Sequence, residues 1–312
     1  MEDLNTIFTK KNITESSKNL YIKNLTRLND GQPIKNLKFL KDVGAIMTKL
    51  EEKYKPNTQR SYIISIVSLL KTVCEDKPSY KKLYNEYYTI LDKMNKDLKD
   101  QTAKTEKEQE NWIGQDAVKS KWCEWYEEYK KIKDKKKLYL EEFEVLLHFL
   151  VLSLFVLQKP RRNKDYMEMY IIKKWRPDFG DKENWLDLGN KEFLFNNYKT
   201  KGTYKTQTQE IDDDLFDIIY TYLRFHPLKS QLKNKTASIP FLVDYHGNAL
   251  VQNNAITRIL NKIFGKKIGS SMMRKLYLTE KYSNTFSEME KDAKAMGTSV
   301  STIQNNYAKQ DD

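Results

Sequence analysis

Apolar residues recur at three- and four-residue intervals along most of the chain, which is the pattern of amphipathic helices. In the first hundred residues the clearest stripe consists of Tyr62, Ile66, Leu69, Leu70 and Val73. A nearly continuous apolar run over residues 138–157 predicts a buried helix at the centre of a second domain. Together these patterns predict a chain that is mainly helical.

The pattern changes after Pro160, where short segments rich in aromatic and β-branched residues predict strands. These segments span residues 170–172, 185–188, 192–195 and 206–211. Helical patterns return at residues 213–224, 253–264, 271–281, 289–296 and 301–309. Ser301 and Gln304 have the spacing of a capping box, so we expect the last helix to begin there and to carry Tyr307.

A polar, charged segment separates the two helical regions. Residues 101–111 contain almost no apolar side chains, and we interpret them as an interdomain linker. Residues 1–100 then form a helical first domain, and residues 112–312 form a helical second domain with a small inserted sheet. The expected fold class is therefore mainly α with a small β-sheet.

The charge balance indicates a class of partner. Lysine and arginine outnumber the acidic residues by 55 to 43, which gives a formal net charge of +12. Such an excess favours a polyanion such as nucleic acid, although a generally lysine-rich composition would give the same balance. The longest apolar run is too short to span a bilayer and the chain starts with acidic, polar residues, so we expect a soluble intracellular protein that does not bind a membrane.

The cysteines and histidines indicate no metal site. Cys74 and Cys123 lie far apart in the sequence and form no CxxC motif. The three histidines, His148, His226 and His246, show no metal-ligand spacing. We therefore expect neither a disulfide scaffold nor a bound metal.

A basic cluster follows the apolar run. Residues 158–166 include Arg161, Arg162 and Asp165. A helix that ends at Pro160 would place both arginines just beyond its C-terminal end. Arginine suits phosphate binding because its planar guanidinium makes paired hydrogen bonds to phosphate oxygens, and Asp165 is positioned to buttress Arg162. Taken alone, the segment more commonly represents a solvated basic surface.

Two later segments supply further groups suited to phosphodiester chemistry. The predicted hairpin at residues 196–203 carries Lys199 and Lys201, and a lysine on such a turn can protonate a leaving 5′ oxygen. Near the end of the chain, Arg274 can neutralise a phosphate and Tyr307 can form a stable phosphotyrosine ester. Neither of these last two groups needs a metal for this chemistry.

The order of these groups resembles the tyrosine recombinase (phage integrase) family over the whole chain. Arg162 and Asp165 resemble the first box of that family, in which an arginine precedes an acidic residue by three. Residues 197–200 resemble its hairpin lysine motif, with Lys199 preferred and Lys201 as the rival. Asp165 and the hairpin lysine would then belong to one catalytic site with Arg162.

The C-terminal boxes extend the resemblance. Ser271-Met272-Met273-Arg274 is similar to a His-x-x-Arg box, and residues 296–302 are similar to a Leu-Gly-His-Ser turn, with Tyr307 at the nucleophile position. Ser271 stands where histidine is usual, and Thr298 stands where histidine or tryptophan is usual. Both can donate a hydrogen bond to phosphate, but neither exchanges a proton near pH 7. The divergent boxes look most like recombinases of eukaryotic large DNA viruses and their mobile elements.

The resemblance implies a fold and a reaction. The fold would be an N-terminal SAM-like core-binding domain followed by a catalytic domain with an inserted three-stranded antiparallel sheet, together called the DNA breaking–rejoining fold. Tyr307 would attack a scissile phosphate and form a 3′-phosphotyrosine, while Arg162 and Arg274 hold the charge and Lys199 protonates the leaving oxygen. The reaction would need no cofactor and no small-molecule substrate. Double-stranded DNA would be the partner, with four protomers on two sites.

Further DNA contacts are expected from Lys55, Arg60, Arg161, Lys201 and Lys275. Two alternatives to an active recombinase remain open. One is a DNA-binding descendant that has lost catalysis, and the other is a relative of type IB topoisomerases that relaxes supercoils as a monomer.

Overall fold

The computed structural model describes residues 3–99 and 104–303. Contacts within the chain divide it into two units between Lys104 and Thr105. The described residues are mainly helical, and the second unit also contains one small mixed sheet. The predicted fold class, mainly α with a small β-sheet, is confirmed at this level.

The first unit is helical throughout its described part. Its helices are α1 (Leu4–Thr9), α2 (Glu15–Leu28), α3 (Val43–Lys53), α4 (Pro56–Asp76) and α5 (Lys81–Lys99). Helix α4 lies at the centre and contacts the other four. Pro56 occupies its first turn, where the missing N–H costs no hydrogen bond. The apolar stripe predicted for this helix is buried, which confirms the pattern: Tyr62, Ile66, Leu69, Leu70 and Val73.

The second unit is built around one apolar helix. Its first helices are α6 (Glu106–Asn111), α7 (Gln115–Ile132), α8 (Leu140–Val156) and α9 (Asn163–Met167). The later ones are α10 (Lys201–Tyr204), α11 (Asp213–Phe225), α12 (Ala255–Phe264), α13 (Ser270–Ala295) and α14 (Val300–Thr302). Helix α8 contacts α7, α11 and α12, and 11 of its 17 residues are buried, so it is the predicted central helix.

The sheet differs from the predicted three-stranded antiparallel one. Its strands are β1 (Met169–Ile172), β2 (Asn184–Asp187), β3 (Glu192–Phe195), β4 (Gln207–Glu210) and β5 (Ile239–Pro240), in the order β4-β3-β2-β1-β5. Strands β1 and β2 are parallel, and the other neighbours are antiparallel. The chain between β1 and β2 is long enough for a crossover, and the two-residue β5 has no alternation to reveal it.

The segment predicted as a linker, residues 101–111, contains helix α6 in its described part. Thr105 and Glu108 form a capping box at the start of this helix, in which each side chain bonds the other residue's backbone N–H. Glu108 also forms an ion pair with Lys275 on α13. The polar composition of this segment therefore did not reveal a short helix, which an ion pair links to α13 of the second unit.

Helix α13 replaces two predicted helices. Residues 271–281 and 289–296 were expected to be separate, yet one helix runs from Ser270 to Ala295. The intervening residues 282–288 contain neither proline nor glycine, so nothing in them interrupts the backbone hydrogen bonds. The continuous helix separates Arg274 from Thr298, which the family resemblance placed in one site.

Candidate functional site

Arg162 lies at the start of helix α9. The chain leaves α8, passes Pro160 and turns at Arg162, which is the N-cap residue of α9 and adopts an extended backbone conformation. Its side chain is half-buried. Among residues 3–99 and 104–303, the guanidinium has no hydrogen-bond or ion-pair partner. Its donors are therefore available to a ligand.

Asp165 pairs with Arg161 rather than with Arg162. Nε of Arg161 donates to Oδ2 of Asp165 at 2.9 Å, and the carboxylate is almost completely buried. The Arg161 guanidinium also donates to Gln207 at 2.9 Å and stacks 3.7 Å from the centre of the Phe195 ring. The prediction that Asp165 buttresses Arg162 was wrong, because Arg161 turns inward over β3 and takes the carboxylate.

The buried pair has a structural role. Burial raises the pKa of Asp165, while the positive charge and hydrogen bond of Arg161 act against that shift. A buried carboxylate needs such a partner, since an unpaired charge in a protein interior is strongly destabilising. Arg161, which we predicted as a DNA contact, is thus paired with Asp165 and Gln207 inside the unit. Its pairing fixes the segment from which Arg162 projects.

Arg274 lies in the first turns of α13, close to Arg162. It donates to Oγ of Ser271 at 3.2 Å and to the carbonyl oxygen of Ser270 at 3.4 Å. Burial lowers the pKa of Arg274 and the positive charge of Arg162 lowers it further, while the negative charge of Asp165 raises it. No carboxylate in the described residues lies within ion-pair distance of either guanidinium. Two like charges held together in this way favour binding of an anion between them.

Helix α12 holds the two arginine-bearing segments together. Nδ2 of Asn163, next to Arg162, donates to Oγ1 of Thr257 at 3.0 Å. On the other side of Thr257, a Cβ at Gly269 would approach its side chain to 3.2 Å. Gly269 immediately precedes α13, so the absence of a side chain there lets α13 begin close to α12 and to Arg162.

The β3–β4 hairpin carries the two candidate lysines. Lys199 is exposed and has no hydrogen-bond or ion-pair partner in the described part of the chain. Nζ of Lys201 instead donates to the carbonyl oxygen of Asp181 at 2.5 Å and forms an ion pair with its carboxylate at 3.4 Å. Lys199 is therefore the available lysine, and Lys201 is engaged within the unit. The neighbouring Tyr198 ring lies 5.1 Å below the Arg161 guanidinium, which places the hairpin beside the first box.

Sequence reasoning missed Asn184, which joins the hairpin to α9. Its Nδ2 donates to the carbonyl oxygens of Asp165 at 3.0 Å and Asn197 at 2.9 Å. Its Oδ1 accepts from the backbone N–H groups of Asn196 at 2.8 Å and Asn197 at 2.7 Å. The side chain is completely buried, so all four bonds are shielded from water. The only available signal was a polar residue directly before the strand predicted at residues 185–188.

The remaining predicted DNA contacts lie in different surroundings. Lys275 forms its ion pair with Glu108, and that contact together with hydrogen bonds from Thr105 lowers the pKa of Glu108 to about 2. In the first unit, Lys55 is exposed before α4, while Nε of Arg60 donates to Asn95 at 2.7 Å. Among the five predicted DNA contacts, only Lys55 has a side chain with no hydrogen-bond or ion-pair partner in the described residues.

Thr298 lies at the far end of α13. Gly297 adopts a positive φ of 64° and ends the helix in a Schellman motif, in which the Thr298 N–H bonds the carbonyl oxygen of Ala293 at 2.9 Å. Ala293 follows Arg274 by 19 residues, which is about 28 Å along a helix. Thr298 and Arg274 therefore do not share a phosphate within one described chain.

The start of the last helix also differs from the prediction. Ser299, not Ser301, is the N-cap of α14, and its side chain accepts from the Thr302 N–H at 3.1 Å. Gln304 and Tyr307 lie outside the described residues. The described site thus unites Arg162, Asp165, Ser271 and Arg274 beside the Lys199 hairpin.

A cavity of about 250 Å³ borders Arg274. It is lined by Lys159, Pro160, Arg274, Tyr277, Leu278, Lys281 and Tyr282. Three cationic side chains and two aromatic rings suit a phosphate attached to a planar base. The candidate site therefore extends from the arginine pair along the first half of α13.

Comparisons with known proteins add no assignment, because no protein-family model, curated protein or solved structure matches this chain. None of the helices in the described part of the chain has the length and apolar character needed to cross a membrane.

Proposed function

We propose that this chain is a DNA strand transferase of the tyrosine recombinase type, which cuts and rejoins duplex DNA through a 3′-phosphotyrosine. The observation that carries the proposal is the arginine pair. Arg162 and Arg274 are 112 positions apart in the sequence, yet the segments that carry them both pack against Thr257 of α12, through Asn163 and Gly269. A site that holds two unneutralised guanidiniums together is suited to a phosphodiester.

The reaction would proceed in one in-line displacement. The Tyr307 phenol loses its proton to solvent, and its oxygen forms a bond to phosphorus as the bond to the 5′ oxygen breaks. Arg162 and Arg274 stabilise the charge on the non-bridging oxygens, and Ser271 is placed to donate a further hydrogen bond. Lys199 protonates the departing 5′ oxygen. Attack by another 5′-hydroxyl reverses the step and joins new strands, so no ATP is consumed.

The partner in this proposal is double-stranded DNA. The net charge of +12 supports a polyanionic partner, and the exposed Lys55 at the start of α4 supports a role for the first unit in backbone contact. In the proposed assignment the first unit is a SAM-like core-binding domain and the second unit has the DNA breaking–rejoining fold. Four protomers would act on two DNA sites.

Covalent trapping tests the proposal. A nicked duplex that loses its short 5′-hydroxyl fragment after cleavage prevents religation, and a library of such duplexes selects the target sequence at the same time. We expect an SDS-resistant protein–DNA adduct with the wild-type chain and none with Tyr307→Phe. Tyr220→Phe, at an exposed tyrosine on α11, is the matched control and should form the adduct normally. An adduct with Tyr307→Phe would contradict the assigned nucleophile.

A DNA-binding protein without catalysis is the second candidate. It is favoured by Ser271 and Thr298 at positions where histidine would exchange protons, and by the distance between Thr298 and Arg274. This candidate predicts salt-dependent DNA binding with no covalent species. A topoisomerase-like activity would instead relax a supercoiled plasmid without requiring paired sites.

A further inference from the structure

A second cavity adjoins the first cavity, which borders Arg274. The volume of the second cavity is about 360 Å³, and its lining residues come from the end of α8 and the turn after it, from β4 and the start of α11, and from the first half of α13. Lys159 and Tyr277 line both cavities. Because the same two side chains border both spaces, one ligand can extend from the first cavity into the second.

The two cavities differ in charge. Arg274, Lys281 and the shared Lys159 line the first cavity, and no acidic side chain of the described residues lines it. Glu210 and Asp212 line the second cavity, together with the C-terminal end of α8, where carbonyl oxygens have no partner within the helix. The first cavity therefore favours an anion, whereas the second favours a group that donates hydrogen bonds.

Gln158 gives the second cavity a buried hydrogen-bond donor. Its side chain lines the cavity, and the residue is only 8% exposed. Nε2 of Gln209 donates to Oε1 of Gln158. Nε2 of Gln158, in contrast, has no hydrogen-bond partner in the described residues. A buried N–H group without an acceptor is destabilising, so a ligand atom that accepts a hydrogen bond at this point is favoured.

An amino-bearing nucleobase matches the groups of the second cavity. Adenine and cytosine each present an amino donor beside a ring nitrogen that accepts, whereas thymine has no amino group. Glutamine amides and carboxylates are the side chains that pair with such edges. Here Nε2 of Gln158 suits the ring nitrogen, and the exposed carboxylate of Glu210 suits the amino group. The half-buried ring of Tyr277 offers a surface on which the base can stack.

We propose that the two cavities together bind one unpaired nucleotide of a DNA strand, with its phosphate beside Arg274 and Lys159 and an adenine or cytosine base beside Gln158 and Glu210. The nucleotide has to leave the base stack, because in a duplex the edge of the base that these side chains contact is already paired. Binding of the nucleotide does not depend on strand transfer. Only the identification of its phosphate with the scissile one rests on the proposed function.

Bulged duplexes test the binding without catalysis. Fluorescence anisotropy with the Tyr307→Phe chain compares duplexes of one sequence that carry a single extrahelical adenine, cytosine, thymine or abasic residue. The abasic bulge is the control, because it interrupts the duplex in the same way but has no base. We expect the adenine and cytosine bulges to bind about tenfold more tightly than the abasic bulge, and the thymine bulge to lie between them. Equal affinity for all four duplexes would overturn the proposal.

Substitutions separate hydrogen bonding to the base from stacking. Gln158→Leu should abolish the preference for adenine and cytosine over thymine and leave abasic binding unchanged, and Gln231→Leu at an exposed position is its matched control. Tyr277→Leu should bring all three bases towards the abasic affinity. Glu210→Gln, at an exposed residue, disturbs no buried contact and should also reduce the preference. A preference that persists in both Gln158→Leu and Glu210→Gln would contradict the assigned base contacts.

Two further measurements separate this proposal from its alternatives. Free dAMP or dCMP at the concentration of the bulged duplex should not displace it, and displacement would show that the ligand is a free nucleotide rather than part of a DNA strand. Covalent trapping with the wild-type chain distinguishes the nucleotide site from the proposed function. If the base preference is found but no adduct forms, the nucleotide site stands and the function is wrong. If adducts form but all bulges bind alike, the function stands and the nucleotide site is wrong.

Discussion

The region around α9 and the distal half of α13 hold their side chains in opposite ways. Around α9, charged and polar side chains are largely buried and hydrogen-bonded within the unit: Arg161 donates to Asp165 and Gln207, and Asn184 binds four backbone groups. On α13 from Leu278 onwards, large apolar side chains are exposed, with Leu278 and Phe286 each 50% exposed. The first arrangement holds the segment from which Arg162 projects, and the second leaves one apolar face of α13 in contact with solvent.

This contrast separates two kinds of contribution to a site. Buried networks are costly to break, because each orphaned partner loses its hydrogen bonds without regaining water. Removal of an exposed apolar side chain changes the free energy of unfolding little, because that side chain buries little surface when the chain folds. We therefore expect substitutions near α9 to change stability strongly and substitutions on distal α13 to change it little.

The largest effect is expected from Asp165→Ala. The substitution leaves the Arg161 guanidinium buried without its carboxylate, which should lower the free energy of unfolding of the second unit by about 3–5 kcal/mol. Urea unfolding followed by tryptophan fluorescence measures the change, since all five tryptophans lie in that unit. Asp178→Ala removes the exposed ion pair with Arg176 and is the control, with an expected change below about 0.5 kcal/mol. Similar losses in both variants would show that burial of the pair is unimportant.

The next effect is a loss of stability in acid. Burial lowers the pKa of His148 and of His226 to about 4 in the folded protein. Because an unfolded histidine has a pKa near 6.5, the unfolded state binds protons first as the pH falls, and the stability present above pH 6.5 is lost between about pH 6.5 and 4. We expect a loss on the order of 2 kcal/mol for each histidine by pH 4.5.

Single substitutions separate the two histidines from other titrating groups. His148→Leu should reduce the slope of the unfolding free energy against pH over that interval. The first unit contains no histidine, so its unfolding should not follow this pH dependence. An unchanged slope in His148→Leu would contradict the assigned cause.

Asn184→Ala should have a smaller effect and should act on the hairpin. Its removal leaves two backbone N–H groups and two carbonyl oxygens without their shared partner, at a cost of about 1–3 kcal/mol. Amide hydrogen exchange should show faster exchange at residues 196 and 197 than in the wild type. Asn284→Ala on the exposed face of α13 is the control. If exchange at the hairpin is unchanged, Asn184 does not hold it.

The fold class and the central elements could be predicted from periodicity. The stripe of α4 and the apolar run of α8 each record burial directly, because local spacing and burial are coupled in a helix. The parallel pairing of β1 with β2 and the short β5 could not be predicted, since strand partners depend on tertiary contacts. The prediction of two helices in place of α13 was wrong. Residues 282–288 are mostly weak helix formers, and such residues do not by themselves end a helix.

The candidate site shows the same limit. Arg274 and Arg162 could be selected by residue type and order, and the structure brings them together. The partner of Asp165 could not be selected, because two adjacent arginines are equivalent in sequence and differ only in which one turns towards Phe195. Asn184 was missed because its four hydrogen bonds join backbone groups of Asp165, Asn196 and Asn197, which lie far apart in the sequence from one another or from Asn184.

The smallest effect is expected from Phe286→Ala, and it is the sharpest test of the contrast. Because this ring is 50% exposed, its removal should change the unfolding free energy of dilute, monomeric protein by no more than about 0.5 kcal/mol. Phe195→Ala is the matched variant, since the same side chain there is fully buried beneath Arg161, and a loss of about 3–5 kcal/mol is expected. Urea titrations at micromolar protein concentration measure both. A large loss in Phe286→Ala would mean that this ring is already covered within one chain.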